Sequence, residues 1–147
     1  MGKANRKAPR LGDQVCYALY STSREITKAY KPLLSPLSLT YPQYVVMMAL
    51  WEDDDIMISQ LAEKTGIGNA TLTPLLKRLE ATGYIERHFK AADERQKLLK
   101  LTVKGEALAK KARKASEAAL CATGLSDKQA RKLLSLCDAI KDRLHRK

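Results

Sequence analysis

Residues 58–101 constrain the fold of this chain more than any other stretch. Apolar side chains recur there at the spacing of a helix, in two groups: Ile58, Leu61 and Ala62, then Leu72, Leu75, Leu76 and Leu79. Gly66 and Gly68 lie between the groups, and glycine permits the backbone angles of a tight turn. The pattern predicts two short helices joined by a turn, with Gly83 as the C-cap of the second helix.

A charged hairpin is predicted after the second helix. Residues 84–89 and 97–101 have the composition of strands, and residues 90–96 form a polar tip between them. Two helices, a turn and a hairpin in this order are typical of a winged helix-turn-helix, which presents one helix and one charged loop to a DNA duplex. We therefore expect a mainly α-helical fold with a small β-hairpin wing, in which residues 58–101 form a DNA-binding unit.

The charge of the chain also favours a polyanionic partner. The 147 residues include 27 Lys and Arg against 16 Asp and Glu, so the formal net charge is +11. Hydrophobic residues make up 45%, which supports one folded domain over residues 11–147. Residues 1–10 carry four basic side chains and no acidic one, which predicts a flexible basic arm.

Helices are also predicted on both sides of the winged unit. Their expected ranges are residues 11–34, residues 40–52, residues 103–120 and residues 126–144. The first, fifth and sixth helices of the chain carry apolar stripes that residues 58–101 cannot cover. We therefore expect residues 11–57 and 103–147 to serve dimerisation and sensing, so that a homodimer binds a pseudo-palindromic double-stranded DNA operator. A compact helical monomer is the alternative.

The second helix of the winged unit carries the predicted base contacts. Asn69, Thr71 and Thr73 lie near its start, where helix-turn-helix proteins contact base edges. Pro74 leaves the position of that start open. Either Asn69 caps the helix and Pro74 lies in its second turn, or Thr73 is the cap and Pro74 takes the first helical position.

Further predicted DNA contacts are basic. Lys77 and Arg78 are expected to meet phosphates, and Lys90 lies beside the wing tip. Arg95 is expected to enter the minor groove, whereas Asp93 is expected to hold the shape of the wing loop.

Other classes of site find little support in the sequence. The two histidines are isolated, the three cysteines lack the spacing of zinc ligands, and no glycine-rich phosphate loop occurs, so neither a metal nor a cofactor is predicted. No secretory signal and no apolar run long enough for a bilayer are visible, which predicts a cytoplasmic protein without membrane contact. Its cysteines are then expected to be reduced at rest.

The chain resembles the MarR family of bacterial transcriptional regulators. Asp93-x-Arg95 followed by Leu101-Thr102-x-x-Gly105 fits the signature of that family. The organic hydroperoxide-sensing branch, OhrR, matches more closely, on Cys16 and on residues 20–25, 30–34, 40–44 and 71–78. The resemblance implies a dimeric repressor, not an enzyme, that leaves its operator when an organic hydroperoxide oxidises a cysteine.

The resemblance also assigns roles near the first helix. Cys16 matches the reactive cysteine, Tyr30 and Tyr41 match two tyrosines that hydrogen-bond its sulfur, and Tyr20 matches a third tyrosine nearby. The chemistry is consistent with these roles, because the thiolate is the nucleophilic form and phenolic hydroxyls stabilise it without burying a full positive charge.

Two further cysteines define the subtype that the resemblance implies. Cys121 matches the resolving cysteine of a two-cysteine group, which joins Cys16 of the other subunit in a disulfide. Cys137 lies on the apolar stripe of the last helix and is the less favoured resolver, and a small thiol is a third possibility.

Three alternative functions stay open. A MarR-type repressor induced by a small aromatic acid would not need Cys16. A peroxidase would use the cysteine, although no paired catalytic constellation is evident. A non-specific nucleic-acid architectural protein is suggested by the net charge alone.

Overall fold

A computed structural model describes residues 8–90 and 93–146, apart from the side chains of residues 94 and 95. In chain order the elements are a 3-10 turn at Leu11–Asp13, α1 at Val15–Leu34, a 3-10 turn at Ser35–Leu37, α2 at Tyr41–Glu52, β1 at Ile56–Met57, α3 at Ile58–Thr65, α4 at Asn69–Ala81, β2 at Ile85–Lys90, β3 at Asp93–Leu101, α5 at Val103–Ala122 and α6 at Asp127–His145. The predicted mainly α-helical fold with a hairpin wing is confirmed. The predicted basic arm lies mostly outside the described residues.

Local side-chain caps set several helix starts. The Thr40 hydroxyl accepts from the backbone N–H of Gln43, and the Gln43 side chain accepts from the backbone N–H of Thr40, which is a capping box. Ser126 and Gln129 form the same arrangement at the start of α6. The first helix is shorter than predicted, because Gln14 is extended and separates α1 from the preceding 3-10 turn.

The wing differs from its prediction in two ways. Its strands extend to Lys90 and Asp93, so the loop between them is shorter than the expected tip of residues 90–96. A two-residue strand, β1, was not predicted, and it pairs with β3 to give the antiparallel order β1-β3-β2. Two residues are too few to show the alternating pattern of a strand, so the local sequence did not reveal this pairing.

The core lies between α2, α3, α4, α5 and the sheet. Its largest fully buried side chains are Leu34, Val46, Met47, Leu50, Leu61, Leu72, Leu76, Leu79 and Leu99. The three leucines of α4 in this set, four and three residues apart, form one buried stripe. That burial holds the opposite face of α4 toward solvent.

Close backbone packing joins α5 to the turn after α4. The N–H of Thr102 donates to the Tyr84 carbonyl, and a Cβ on Gly105 would lie 2.0 Å from that same oxygen. The Gly105 carbonyl in turn accepts a 3.0 Å hydrogen bond from the indole Nε1 of Trp51. Gly105 is therefore the point at which α2, α5 and the winged unit meet.

Parts of α1 and all of α6 remain uncovered within one chain. No residue of α6 is buried, and among the described elements none makes an extended contact with it. The large exposed apolar side chains of α1, of α6 and of the C-terminal end of α5 are Val15, Tyr17, Leu19, Tyr20, Leu120, Leu133, Leu134, Leu136, Ile140 and Leu144. Apolar surfaces of this kind mark interfaces rather than solvated faces.

Replacing Gly105 by alanine tests the packing at this meeting point. We expect Gly105→Ala to lower the free energy of unfolding by about 1–3 kcal/mol, because the added methyl group meets a backbone carbonyl that cannot rotate away. Thermal denaturation followed by circular dichroism measures the loss. Gly12→Ala is the matched control, since nothing lies within 4 Å of its added Cβ, and equal melting temperatures for the two variants would contradict the prediction.

Candidate functional site

The exposed face of α4 carries the predicted DNA contacts. Gly68 is the N-cap and Asn69 the first helical residue, so the alternative with Thr73 as the cap is wrong. The other alternative named the cap one residue too late but correctly placed Pro74 in the second turn. Pro74 consequently lies inside the helix, where it cannot donate to the carbonyl of Ala70. The Thr73 hydroxyl donates to the carbonyl of Asn69 at 2.9 Å.

Helical spacing arranges these side chains in two neighbouring rows. Asn69, Thr73 and Lys77 are four residues apart and share one row, and Thr71, Pro74 and Arg78 share the next. All six are exposed, whereas the leucines on the opposite side are buried. The structure therefore brings the predicted contacts of this helix onto one solvent-facing surface.

The wing carries the remaining predicted contacts. Lys90 is exposed at the end of β2 and lies opposite Asp93 in the ladder. Asp93 is half-buried, which is compatible with the structural role expected for it. The side chain of Arg95 lies outside the described residues, so its minor-groove contact stays a prediction.

Two side-chain contacts that the sequence did not reveal anchor the wing. The Arg87 guanidinium lies 2.9 Å from the Glu80 carboxylate, an ion pair that joins β2 to the end of α4. The His88 ring is hydrogen-bonded to the Asp55 carboxylate at 2.5 Å, which joins β2 to the turn before β1. The wing is thus held both to α4 and to the turn before β1.

The two tyrosines predicted near the reactive thiol are in contact with each other. The ring centroids of Tyr30 and Tyr41 lie 5.1 Å apart, at the C-terminal end of α1 and the start of α2. Cys16 lies exposed in the first turn of α1. Fourteen residues of helix separate it from Tyr30, about 21 Å along the axis. One protomer therefore brings Tyr30 and Tyr41 together but keeps both away from its own Cys16.

Tyr20 lies apart from that cluster. Its side chain is exposed, its hydroxyl accepts a 3.1 Å hydrogen bond from Arg24, and the guanidinium lies 5.5 Å from the ring centroid. The structure thus places Tyr20 within one turn of Cys16 on α1, but not with the other two tyrosines of its own chain.

Tyr44 also belongs to the cluster. The sequence analysis included it in the matched segment 40–44 but assigned it no role near the thiol. Its ring lies 5.5 Å from Tyr30 and 6.1 Å from Tyr41, and Trp51 completes the group at 6.3 Å from Tyr44. The three-residue spacing from Tyr41 places Tyr44 on the same face of α2, a signal that could have identified it.

Burial governs the electrostatics of the tyrosine cluster. Burial is the largest cause that raises the pKa of Tyr41 and the pKa of Tyr44, and the neighbouring Tyr30 raises both pKa values further. Tyr41 and Tyr44 are therefore protonated at neutral pH, so each hydroxyl keeps a proton that it can donate.

The other two cysteines lie on α5 and α6. Cys121 is exposed near the end of α5, Cys137 is half-buried on α6, and both are free thiols, as Cys16 is. Across the described part of the chain, no group of three His, Cys, Asp or Glu side chains is arranged to hold a metal ion. Among the described helices, none has the length and apolar character needed to span a membrane.

Comparison with known proteins identifies the family. Residues 28–112 match the family model described as transcriptional regulator SarA/Rot. The organic hydroperoxide resistance transcriptional regulator of Bacillus subtilis is 38% identical to this chain over 138 residues, which cover 94% of each protein. The chain belongs to the MarR family of transcriptional regulators. As a member of a family of regulators rather than enzymes, it is not a peroxidase.

Two solved structures share the fold of this MarR-family chain. The structure described as reduced AbfR bound to DNA superposes with a TM-score of 0.73 at 28% identity, covering 94% of this chain and 97% of that one. The disulfide-formed AbfR superposes with a TM-score of 0.65 at 27% identity, covering 89% and 92%.

The internal proline of α4 makes a measurable prediction. We expect Pro74→Ala to raise the free energy of unfolding by about 2 kcal/mol, because alanine restores a helical donor and Pro74 is exposed, so no packing is lost. Chemical denaturation measures the gain. Pro42→Ala is the control, since Pro42 lies in the first turn of α2, where no helical donor is missing. Destabilisation by Pro74→Ala would refute the expectation.

Proposed function

We propose that this protein is a homodimeric, DNA-binding transcriptional repressor that releases its operator when an organic hydroperoxide oxidises Cys16. The observation that carries the proposal is that the groups expected to sense peroxide lie at opposite ends of α1. An exposed thiol lies at one end of the helix, and a cluster of phenols packed against the core lies at the other.

The exposed face of α4 supports DNA binding. The exposed face begins with three short polar side chains, which are Asn69, Thr71 and Thr73. The cations Lys77 and Arg78 follow them, and the opposite face of the helix packs against the core. A recognition helix in the major groove uses such polar groups on base edges and such cations on phosphates. The similar fold of reduced AbfR bound to DNA supports the same mode of docking here.

The uncovered faces support a homodimer. An isolated helix with an apolar face, such as α6, gains its stability by packing against another element, and the described chain offers α6 none. A two-fold interface over α1 and α6 covers these faces in both subunits at once. In such an interface Cys16 of one subunit can meet Tyr30 and Tyr41 of its partner, although they are about 21 Å apart within one chain.

The chemistry of the switch follows from the thiolate. The Cys16 thiolate attacks the terminal peroxide oxygen of R–OOH, the O–O bond breaks, and Cys16 sulfenate and the alcohol R–OH are formed. After protonation, the sulfenic acid reacts with the thiol of Cys121 in the partner subunit, forming the S–S bond and releasing water. The resemblance to OhrR supports Cys121 as resolver, and the existence of a disulfide form of AbfR supports the class of reaction.

Disulfide formation would move the helices that carry the two thiols. A disulfide requires Cα atoms roughly 4.4–6.8 Å apart, so α1 and the partner's α5 must approach to that distance. Because α5 meets the winged unit and α2 at Gly105, its displacement shifts α4. A hundredfold loss of operator affinity requires only about 2.7 kcal/mol.

A cavity favours a second candidate, a repressor induced by a small ligand. About 680 Å³ of space lies between the end of α1, the start of α2 and the end of α4. Lys28, Lys31, Arg78 and Tyr41 are among its lining residues, which include no carboxylate, although Glu25 pairs with Lys28 from outside the lining. Such a site suits an aromatic acid. Because Arg78 of α4 lines the cavity, binding of the acid would act on α4 without any reaction at Cys16.

Operator binding before and after oxidation distinguishes the two functions. We expect a stoichiometric organic hydroperoxide to weaken binding of the wild type to the palindromic DNA upstream of its own gene by at least about a hundredfold, because oxidation displaces α4. Cys16→Ser should bind the same DNA when reduced and should not respond to peroxide. Fluorescence anisotropy at fixed salt measures both affinities.

Treatment of the oxidised wild type with dithiothreitol is the control, and it should restore binding. Release from Cys16→Ser on peroxide treatment, or no release from the wild type, would contradict the thiol switch. Release by an aromatic acid in both proteins would establish the ligand-induced function instead.

The partner thiol is tested by matched serine variants. We expect peroxide to give a covalent dimer in the wild type and in Cys137→Ser but not in Cys121→Ser, because the proposed disulfide joins Cys16 to Cys121 across subunits. Non-reducing electrophoresis measures the dimer. A covalent dimer that persists in Cys121→Ser and disappears in Cys137→Ser would assign the resolving role to Cys137.

A further inference from the structure

Phe89 is the only phenylalanine of the chain, and it lies exposed on the wing. Its side chain is 58% exposed, one residue before the end of β2. The Nζ atom of Lys97, on β3, lies 5.8 Å from the centroid of its ring. Single exposed apolar side chains are common on protein surfaces, so the role of this one depends on the face of the wing that carries it.

The ladder places this pair on the face of the wing that meets α4. Phe89 lies opposite Lys97, and the next pair inward on the same face is Arg87 opposite Leu99. Leu99 is fully buried in the core, and Arg87 forms the ion pair with Glu80 at the end of α4. The face thus runs from the core, past the contact with α4, to an exposed aromatic ring and an exposed ammonium group.

The other face of the hairpin has a different character. Glu86 lies opposite Lys100 there, so a carboxylate is placed across the ladder from the cation. On the same face, His88 is hydrogen-bonded to Asp55. Among the described ladder pairs, only Phe89 and Lys97 combine a large exposed apolar side chain with a cation.

We propose that Phe89 and Lys97 bind the sugar-phosphate backbone of the operator, on the strand that separates the major groove from the minor groove. With α4 in the major groove and the wing at the neighbouring minor groove, this strand passes between them, along the face that carries the pair. The ring packs on the apolar side of a deoxyribose, and the ammonium group pairs with the adjacent phosphate. The inference rests on the DNA-binding part of the proposed function and not on the thiol switch.

The two side chains support one another in this role. An aromatic ring attracts a nearby cation, so Phe89 limits the positions that the Lys97 ammonium group takes before DNA binds. Less rotamer freedom is then lost on binding than for a free lysine. Contact with the sugar also removes the exposed ring from water. Because sugars and phosphates recur in every sequence, the pair contributes affinity and orientation but no base specificity.

The salt dependence of operator affinity separates the two contributions. Fluorescence anisotropy measures binding of the reduced, full-length protein to the palindromic DNA upstream of its own gene at several salt concentrations. We expect Phe89→Ala to weaken binding roughly fivefold per wing and about 25-fold for the dimer, by the same factor at every salt concentration. Lys97→Gln should make the slope of log affinity against log salt shallower by about 0.9 per wing, or about 1.8 for the dimer.

Matched variants control for the loss of apolar surface and of charge. Val103→Ala shortens another strongly exposed apolar side chain, at the start of α5, and should bind like the wild type. Lys100→Gln removes one charge from the same strand on the opposite face, and should change the slope less than half as much as Lys97→Gln does. Phe89→Leu keeps an apolar side chain and should bind within about threefold of the wild type.

The outcomes separate this contact from the docking of α4. If Phe89→Ala and Lys97→Gln both bind like the wild type, the backbone contact is wrong, and weak binding by Lys77→Gln would show that docking of α4 stands. If Lys100→Gln changes the slope as much as Lys97→Gln does, the effect is one of net charge and the contact is wrong. If Phe89→Ala dissociates the dimer in sedimentation, the ring belongs to the subunit interface and the contact is again wrong. If Lys77→Gln and Arg78→Gln also bind like the wild type, the docking of α4 fails as well.

Discussion

Burial of one face of α4 is the interaction on which the rest of the molecule depends. Leu72, Leu76 and Leu79 are completely removed from solvent, and the hydrophobic effect of burying three such side chains amounts to several kcal/mol. The same packing directs the polar side of the helix outward and ties its orientation to α2 and α3. Any displacement of those helices therefore also moves the surface proposed to contact DNA. Without the buried leucines, the recognition helix would have no fixed orientation in a DNA groove.

The rigidity of α1 imposes the second constraint. A continuous helix keeps its two ends about 21 Å apart over the interval from Cys16 to Tyr30, so a thiol at one end cannot use phenols at the other within a single chain. The proposed switch therefore needs two subunits for its first chemical step as well as for its disulfide. The uncovered apolar side chains of α1 and α6 offer the surface through which a second copy could supply them.

The two proposed signals, oxidation of the thiol and binding of a small ligand, both involve the start of α2. Tyr41 belongs to the aromatic cluster proposed to serve the thiol and also lines the basic cavity that reaches Arg78 on α4. Oxidation at the thiol and ligand binding in the cavity would therefore both act on α4 through Tyr41. In this geometry one recognition helix serves either of the two proposed inputs.

The sequence by itself determined the helices, most of their caps and the order of the winged unit, because helical periodicity and caps such as Thr40 and Ser126 act over a few residues. Family motifs in the sequence singled out Cys16, Tyr30 and Tyr41. Only the tertiary structure showed that Tyr44 completes the cluster, that Arg87 and Glu80 anchor the wing, and that Gly68 rather than Asn69 caps α4. The separation of Cys16 from Tyr30, in contrast, follows from their places on one helix. The contacts of the aromatic cluster and the ion pair of the wing depend on distances between elements, which packing decides and which the local sequence does not encode.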